Sequence, residues 1–314
     1  MKVSVIIPCY NVSEFITACI KSVEEQTYTD LDIICIDDGS EDNTLEVLKK
    51  IQNNSTRKIS IIQQTNKGAA SARNNGILHS DATYIQFLDA DDLLQPHKIE
   101  HQVQLAIANN NPVMIIGSFI RISMMGDLLF KRVYHEDDQK NMWLMLMNTD
   151  LGNTCANFFK KDIFNESVKW PESLSSSQEY DLMFQILKQN KEIVFDSEIN
   201  TTIRQRVEGS ISQQNFKKKW ENYTNLRVKI FSHLQQKRPS KIIPEVYQNL
   251  FDAIRLLYPY NKDLAYKYYK QYIHKKFNPQ PSPTTGRLYI AFYQLLGFKA
   301  AEFLKKMITN KKPF

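Results

Sequence analysis

Glycine is scarce, nine residues in a chain of 314, and none is set as GxGxxG or GxxxxGK. A dinucleotide-binding turn or a P-loop needs glycine where backbone closely approaches phosphate, so both are excluded. The four cysteines (Cys9, Cys19, Cys35 and Cys155) form no CxxC pair. The first three lie in or beside apolar segments and read as reduced core thiols of a cytoplasmic protein. No apolar run approaches the ~20 residues of a spanning helix. The amino-terminal MKVSVIIPCYN, cut by Pro8, is too short for a signal peptide. Acidic charge is missing from the last third. Residues 215–314 hold 20 Lys/Arg against five Asp/Glu, a net +15, whereas residues 1–214 hold 20 against 29, a net −9. Such asymmetry predicts two units, an acidic body over 1–214 and a basic, helical accessory domain over 215–314. The second also carries ten of the fifteen tyrosines.

What is present begins with alternation. Val3–Ile7, Leu31–Ile36, Ile59–Ile62, Tyr84–Leu88 and Val113–Ile116 are short apolar runs of strand character. Helical patterns fall between them, the first with Phe15, Ile16, Cys19, Ile20 and Val23 on one face, the fourth opened by Pro96. This predicts an α/β fold with a Rossmann-like sheet, mixed but mostly parallel and flanked by helices, followed by the C-terminal helical domain. Phe119–Ser123 and Leu128–Val133 flank Met125-Gly126-Asp127 as a hairpin. From residue 215 the chain reads as helices, including Pro244–Tyr258 and a last amphipathic segment to about Thr309.

Acidic residues gather where strands end, the edge at which open α/β sheets bind ligands. LDADD (88–92) places Asp89 and Asp91 two apart, able to point to one side and hold Mg²⁺ or Mn²⁺ together with a substrate diphosphate. Helix capping needs one of these acids, not three. IDDGSEDNT (36–44) closes the second strand, and Asp38 reads equally as a turn residue or as an acceptor for a nucleobase N–H. Arg73, in NKGAASARNNGI (66–77), faces the same edge and suits phosphate or a bridge between the acids. In SQEYDLMFQIL (177–187), Glu179 and Asp181 open a helix, where the dipole alone favours acids, or else supply a general base. Arg204, Arg206 and the turn at Glu208-Gly209-Ser210 form a basic, flexible segment suited to closing over an anionic leaving group.

In this order and spacing, VSVIIPCYN, IDDGSEDNT, NKGAASARNNGI, YIQFLDADD and SQEYDLMFQIL resemble the family 2 glycosyltransferases of the GT-A fold, over residues 2 to about 212. The resemblance implies an inverting enzyme that moves a sugar from a nucleotide-sugar, usually a UDP-sugar, to an acceptor hydroxyl. It implies Pro8 and Tyr10 beside the nucleobase, Asp38 on the uracil and Arg73 near the nucleotide. Asp89 would lie at the ribose side or at the metal, with Asp91 binding the cation directly. It implies Glu179 as catalytic base, with Asp181 a weaker candidate, because many relatives read Glu-Asp where this chain has Gln178-Glu179. Gly209-Ser210-Ile211-Ser212 resembles the segment that follows the base, with Ile203 where relatives carry an aromatic residue.

The expected partners are a UDP-sugar donor and a saccharide or lipid-linked saccharide acceptor of bacterial cell-surface polysaccharide synthesis. No nucleic acid is expected, because no basic-aromatic recognition motif is present. Segment 287–314, apolar with trailing lysines, reads as an interfacial helix on an anionic inner-membrane face, or else as a dimerisation surface. The rival reading is a non-catalytic nucleotide-sugar-binding or regulatory protein.

Overall fold

The computed structural model describes residues 1–206, 215–239, 243–273 and 277–309. The strands are β1 (Val3–Cys9), β2 (Leu31–Asp37), β3 (Ile59–Gln63), β4 (Tyr84–Phe87), β5 (Leu93–Leu94), β6 (Met114–Ser123), β7 (Leu128–Arg132), β8 (Phe158–Lys160) and β9 (Ile193–Gln205). The helices are α1 (Ile16–Glu24), α2 (Thr44–Asn54), α3 (Ala69–His79), α4 (Lys98–Ala108), α5 (Met142–Met147), α6 (Gln178–Lys188), α7 (Phe216–Lys237), α8 (Pro244–Leu257), α9 (Lys262–Tyr272) and α10 (Arg287–Thr309). One mixed sheet runs β3-β2-β1-β4-β8-β6-β9-β5, with β7 paired to β6 off that path.

The half of the sheet that carries the acidic motifs, β3-β2-β1-β4, is parallel throughout. Its strands are apolar on both faces because helices cover both, and every residue of β2 is buried. Ile16, Cys19, Ile20 and Val23 seal α1 onto the core shared by β1 and β2. The other half changes direction: β8 is antiparallel to β4 and β6, while β6 and β9 are parallel.

Several expected boundaries shift. The runs at 113–116 and 119–123 are a single strand, β6, whose register with β9 slips at Gly117/Ser118. α4 starts at Lys98, two residues beyond Pro96. α10 is broken at Gly297, where φ is 77°.

Two glycines position the site. Gly39, with φ of 73°, turns the chain after β2, and a Cβ there would lie 2.9 Å from the Asn66 backbone nitrogen. Gly117 lets another loop approach β6, since a Cβ would lie 2.2 Å from the Ala156 carbonyl oxygen. Gly117→Ala must displace residues 154–157, so it is expected to cost about 1–3 kcal/mol of stability, read by chemical denaturation.

The described residues fall into two compact units. The first contains Met1–Met142, Leu151–Ser173 and the chain from Gln178 to the end of β9. The second contains Trp143–Asp150, Leu174–Ser177 and the helices from α7 onward. Within the second, α8 buries Val246, Leu250, Phe251, Ile254 and Leu257 along one stripe.

Candidate active site

The carboxyl ends of β1, β2 and β4 converge on one edge of the first unit. Tyr10 follows β1 and is 44% exposed, and Pro8 is half-buried. Asn11 joins this edge to the β2 loop: its side-chain oxygen accepts from the Glu41 N–H at 2.8 Å. Asp38 is buried, and its carboxylate takes the N–H groups of Lys67 and Gly68 and the Gln64 amide, each at 2.8 Å. It therefore fixes the 64–68 loop, while Asp37 accepts the Ser40 N–H of its own turn at 3.1 Å, and one lone pair of Asp38 Oδ2 has no partner among the described residues.

Beyond β4, Asp89, Asp91 and Asp92 face three arginines. Arg73 Nη2 donates to Asp89 Oδ1 at 2.6 Å, Arg206 Nε pairs with Asp91 Oδ2 at 2.7 Å, and the Arg204 backbone N–H donates to Asp92 Oδ1 at 2.8 Å. Arg204 Nε also donates to the Asp91 carbonyl. Arg204 belongs to β9, not to the flexible segment expected from sequence, and Arg206 follows the strand with its guanidinium 4.1 Å from the centre of the Phe15 ring. The reason is strand pairing, because β9 runs beside both β5 and β6. The expected turn at Glu208-Gly209-Ser210 and the 209–212 segment lie outside the described residues.

Arg73 is itself clamped. Its guanidinium lies 4.4 Å from the centre of the Trp170 ring, and Trp170 is held in turn by Asn74. The Asn74 amide donates to the Trp170 carbonyl at 2.9 Å and accepts the Trp170 N–H at 3.0 Å. Two buried guanidinium nitrogens, Arg73 Nε and Arg204 Nη2, have no acceptor among the described residues. Buried donors of this kind suit an anionic ligand.

Burial raises the Asp91 carboxyl above its ordinary range, and the Asp89 charge adds to this against Arg206 and Arg204. Asp92 is pushed well up by burial and by both neighbouring acids. The oxygens of a carboxylate cluster that repels itself fit a hard divalent cation. Among the described residues, one set of metal-type ligand atoms lies within 4.8 Å: Asp89, Asp92 and Cys155. Burial and the two acids raise the Cys155 thiol well above its ordinary value, so it is a poor thiolate ligand. Its role is a hydrogen bond, as Cys155 Sγ accepts the Asp89 N–H at 3.2 Å while the Cys19 thiol donates to the Asp89 carbonyl at 3.6 Å. Cys19, which reads as a core thiol, and Cys155 thus grip the backbone of the acidic motif.

The next residue toward the N-terminus, Thr154, holds Glu179. Its hydroxyl donates to Glu179 Oε2 at 3.0 Å, with the backbone N–H at 3.4 Å from the same oxygen. Glu179 is half-buried at the start of α6. Burial raises its carboxyl above the usual range and the Asp89 charge adds to this, while Thr154 and Arg73 oppose it. Asp181 is buried and accepts from Gln185 of the same helix at 3.0 Å. Glu179 is joined to the acidic motif through the dipeptide Thr154-Cys155.

A family model described as "Glycosyl transferase family 2" matches residues 4–167. An uncharacterized glycosyltransferase of Rickettsia bellii (strain RML369-C) is 32% identical over 194 residues, which are 59% of this chain and 27% of that relative's length. Among solved structures, S. aureus TarS 1-349 in complex with UDP-GlcNAc superposes with a TM-score of 0.61 at 17% identity, covering 88% of this chain and 77% of that one. Mannosyltransferase PcManGT from Pyrobaculum calidifontis, in complex with GDP-Man and Mn²⁺, gives 0.56 at 15% identity, covering 98% and 84%. At these identities the two structures are neighbours in fold, and the fold is of GT-A type.

Proposed function

Because the chain belongs to glycosyl transferase family 2, we propose that it is an inverting, UDP-sugar-dependent hexosyl- or N-acetylhexosaminyltransferase. The acceptor we propose is a hydroxyl of a saccharide or lipid-linked saccharide in bacterial cell-surface polysaccharide synthesis. In this reading the enzyme works at the cytoplasmic face of the inner membrane. The observation that carries the reading is the Thr154-Cys155 dipeptide, which binds Glu179 with one residue and the Asp89 backbone with the next. A base and an acidic motif from distant parts of the sequence are thereby held as one unit.

In this reading Pro8 and Tyr10 flank the nucleobase and the free lone pair of Asp38 accepts from it. Arg73, levelled by Trp170, orients the nucleotide beside Asp89. Asp91 and Asp89 would hold Mn²⁺ or Mg²⁺, which when bound offsets negative charge on the departing diphosphate. Arg204 and Arg206 add fixed positive charge on the leaving-group side. Glu179 takes the proton from the acceptor hydroxyl, and the raised affinity of its carboxyl for protons makes it a better base than an exposed glutamate.

With Glu179 acting as a base on the acceptor hydroxyl and not as a nucleophile on the sugar, the reaction is a single displacement with inversion. Proton NMR of the slow hydrolysis of an α-linked UDP-sugar by the enzyme should therefore show the β-anomer first. Initial release of the α-anomer would contradict an inverting reaction.

A further inference from the structure

We infer that the second unit binds an anionic lipid surface through the exposed sides of the two segments of α10, with apolar side chains inserted and lysines on the headgroups. α10 turns Tyr289, Tyr293, Phe298 and Ala301 inward, where they are buried. Its first segment exposes Leu288 and Leu295 before the break at Gly297, and its second exposes Phe303 and Met307 after it. Leu295 is 80% exposed, and Phe303 and Met307 are each 62% exposed. Lys299, Phe303, Lys306 and Met307 stand at i, i+4, i+7 and i+8, so charge and apolar bulk alternate along one stripe. Large apolar residues left together on a helix face mark an interaction site.

The partner is identified by charge. Residues 264–314 contain ten Lys/Arg and a single acid, Glu302. That acid is buried and consumed, since Arg255 Nε meets Glu302 Oε1 at 2.7 Å with both side chains almost fully enclosed. No exposed carboxylate side chain therefore offsets the lysines on this part of the chain among the described residues. Cationic heads interleaved with inserted leucine, phenylalanine and methionine suit acidic phospholipid, whereas a nucleic-acid backbone has no use for the apolar residues. No helix among the described residues is long and apolar enough to cross a membrane, so the contact is one that lies on the surface.

The choice of a membrane rests on the lipid-linked acceptor proposed above, but vesicle binding needs neither donor nor acceptor and fails or succeeds separately. The test is co-sedimentation of the full chain with vesicles of phosphatidylcholine alone or with phosphatidylglycerol added. Anionic vesicles should bind at least about tenfold more protein than neutral ones, and salt should weaken binding. The double substitution L295E/F303E should abolish binding, and K299Q/K306Q should weaken it about tenfold or more. Both should keep the wild-type rate of UDP release and the wild-type Tm. Equal binding to neutral vesicles, or no loss in either variant, overturns the proposal. So does a wild-type dimer in sedimentation velocity that L295E/F303E dissociates, because the face would then belong to a second copy.

Discussion

Glu179→Gln is expected to lower the turnover number by about 10²–10⁴-fold while leaving donor affinity close to wild type. The amide keeps the shape of the side chain and still accepts from Thr154 through its oxygen, but it takes no proton. Calorimetric titration with a UDP-sugar separates the two effects. A variant with more than a tenth of wild-type turnover would exclude Glu179 as the base.

The pH profile gives a second readout with a fixed sign. The base acts when ionised, and burial followed by the Asp89 charge holds its carboxyl above the ordinary value of 4.5. The acid limb of kcat should therefore lie above the range of an exposed glutamate. Thr154→Val removes the hydroxyl hydrogen bond that favours the ionised form, so it should move the limb further up.

Asp91→Ala is expected to lose about 10²–10³-fold in turnover and most of the stimulation by Mn²⁺ or Mg²⁺. Stability should behave differently. The Asp91 carboxyl is disfavoured in the ionised form by burial and then by Asp89, so removing it relieves repulsion within the motif. The loss of the half-buried Arg206 pair works the other way. The two effects oppose each other, and Tm should stay within a few degrees of wild type. Activity lost at unchanged Tm is the signature of residues arranged for a ligand at the expense of the fold. A large fall in Tm would instead make the Asp91–Arg206 pair a structural bridge.

The parts of this site that were legible in sequence are those whose signal is local. β1, β2 and β4 read as apolar runs because both their faces are covered, and each hands the chain directly to Tyr10, Asp38 or Asp89. Glu179 was visible because an amphipathic helix begins beside it. Thr154, Cys155 and Trp170 were not visible as site residues. They meet Glu179, Asp89 and Arg73 across 25 to 97 positions, through packing that leaves no periodicity in any single segment. Arg204 reads as flexible in sequence because its neighbours are polar and β-branched without a clean alternation. Its place in β9 depends on partners in β5 and β6 more than 80 residues away. Asp92 carries no local signal of its role, since its bond to the Arg204 N–H depends on the same pairing.

Release of nucleoside diphosphate from a panel of UDP- and GDP-sugars, with and without Mn²⁺ or Mg²⁺, tests the account most directly. It predicts release from at least one UDP-sugar that stops on chelation and returns when either metal is restored. Release that continues unchanged in a chelator, or no release from any donor at saturating metal, would contradict it.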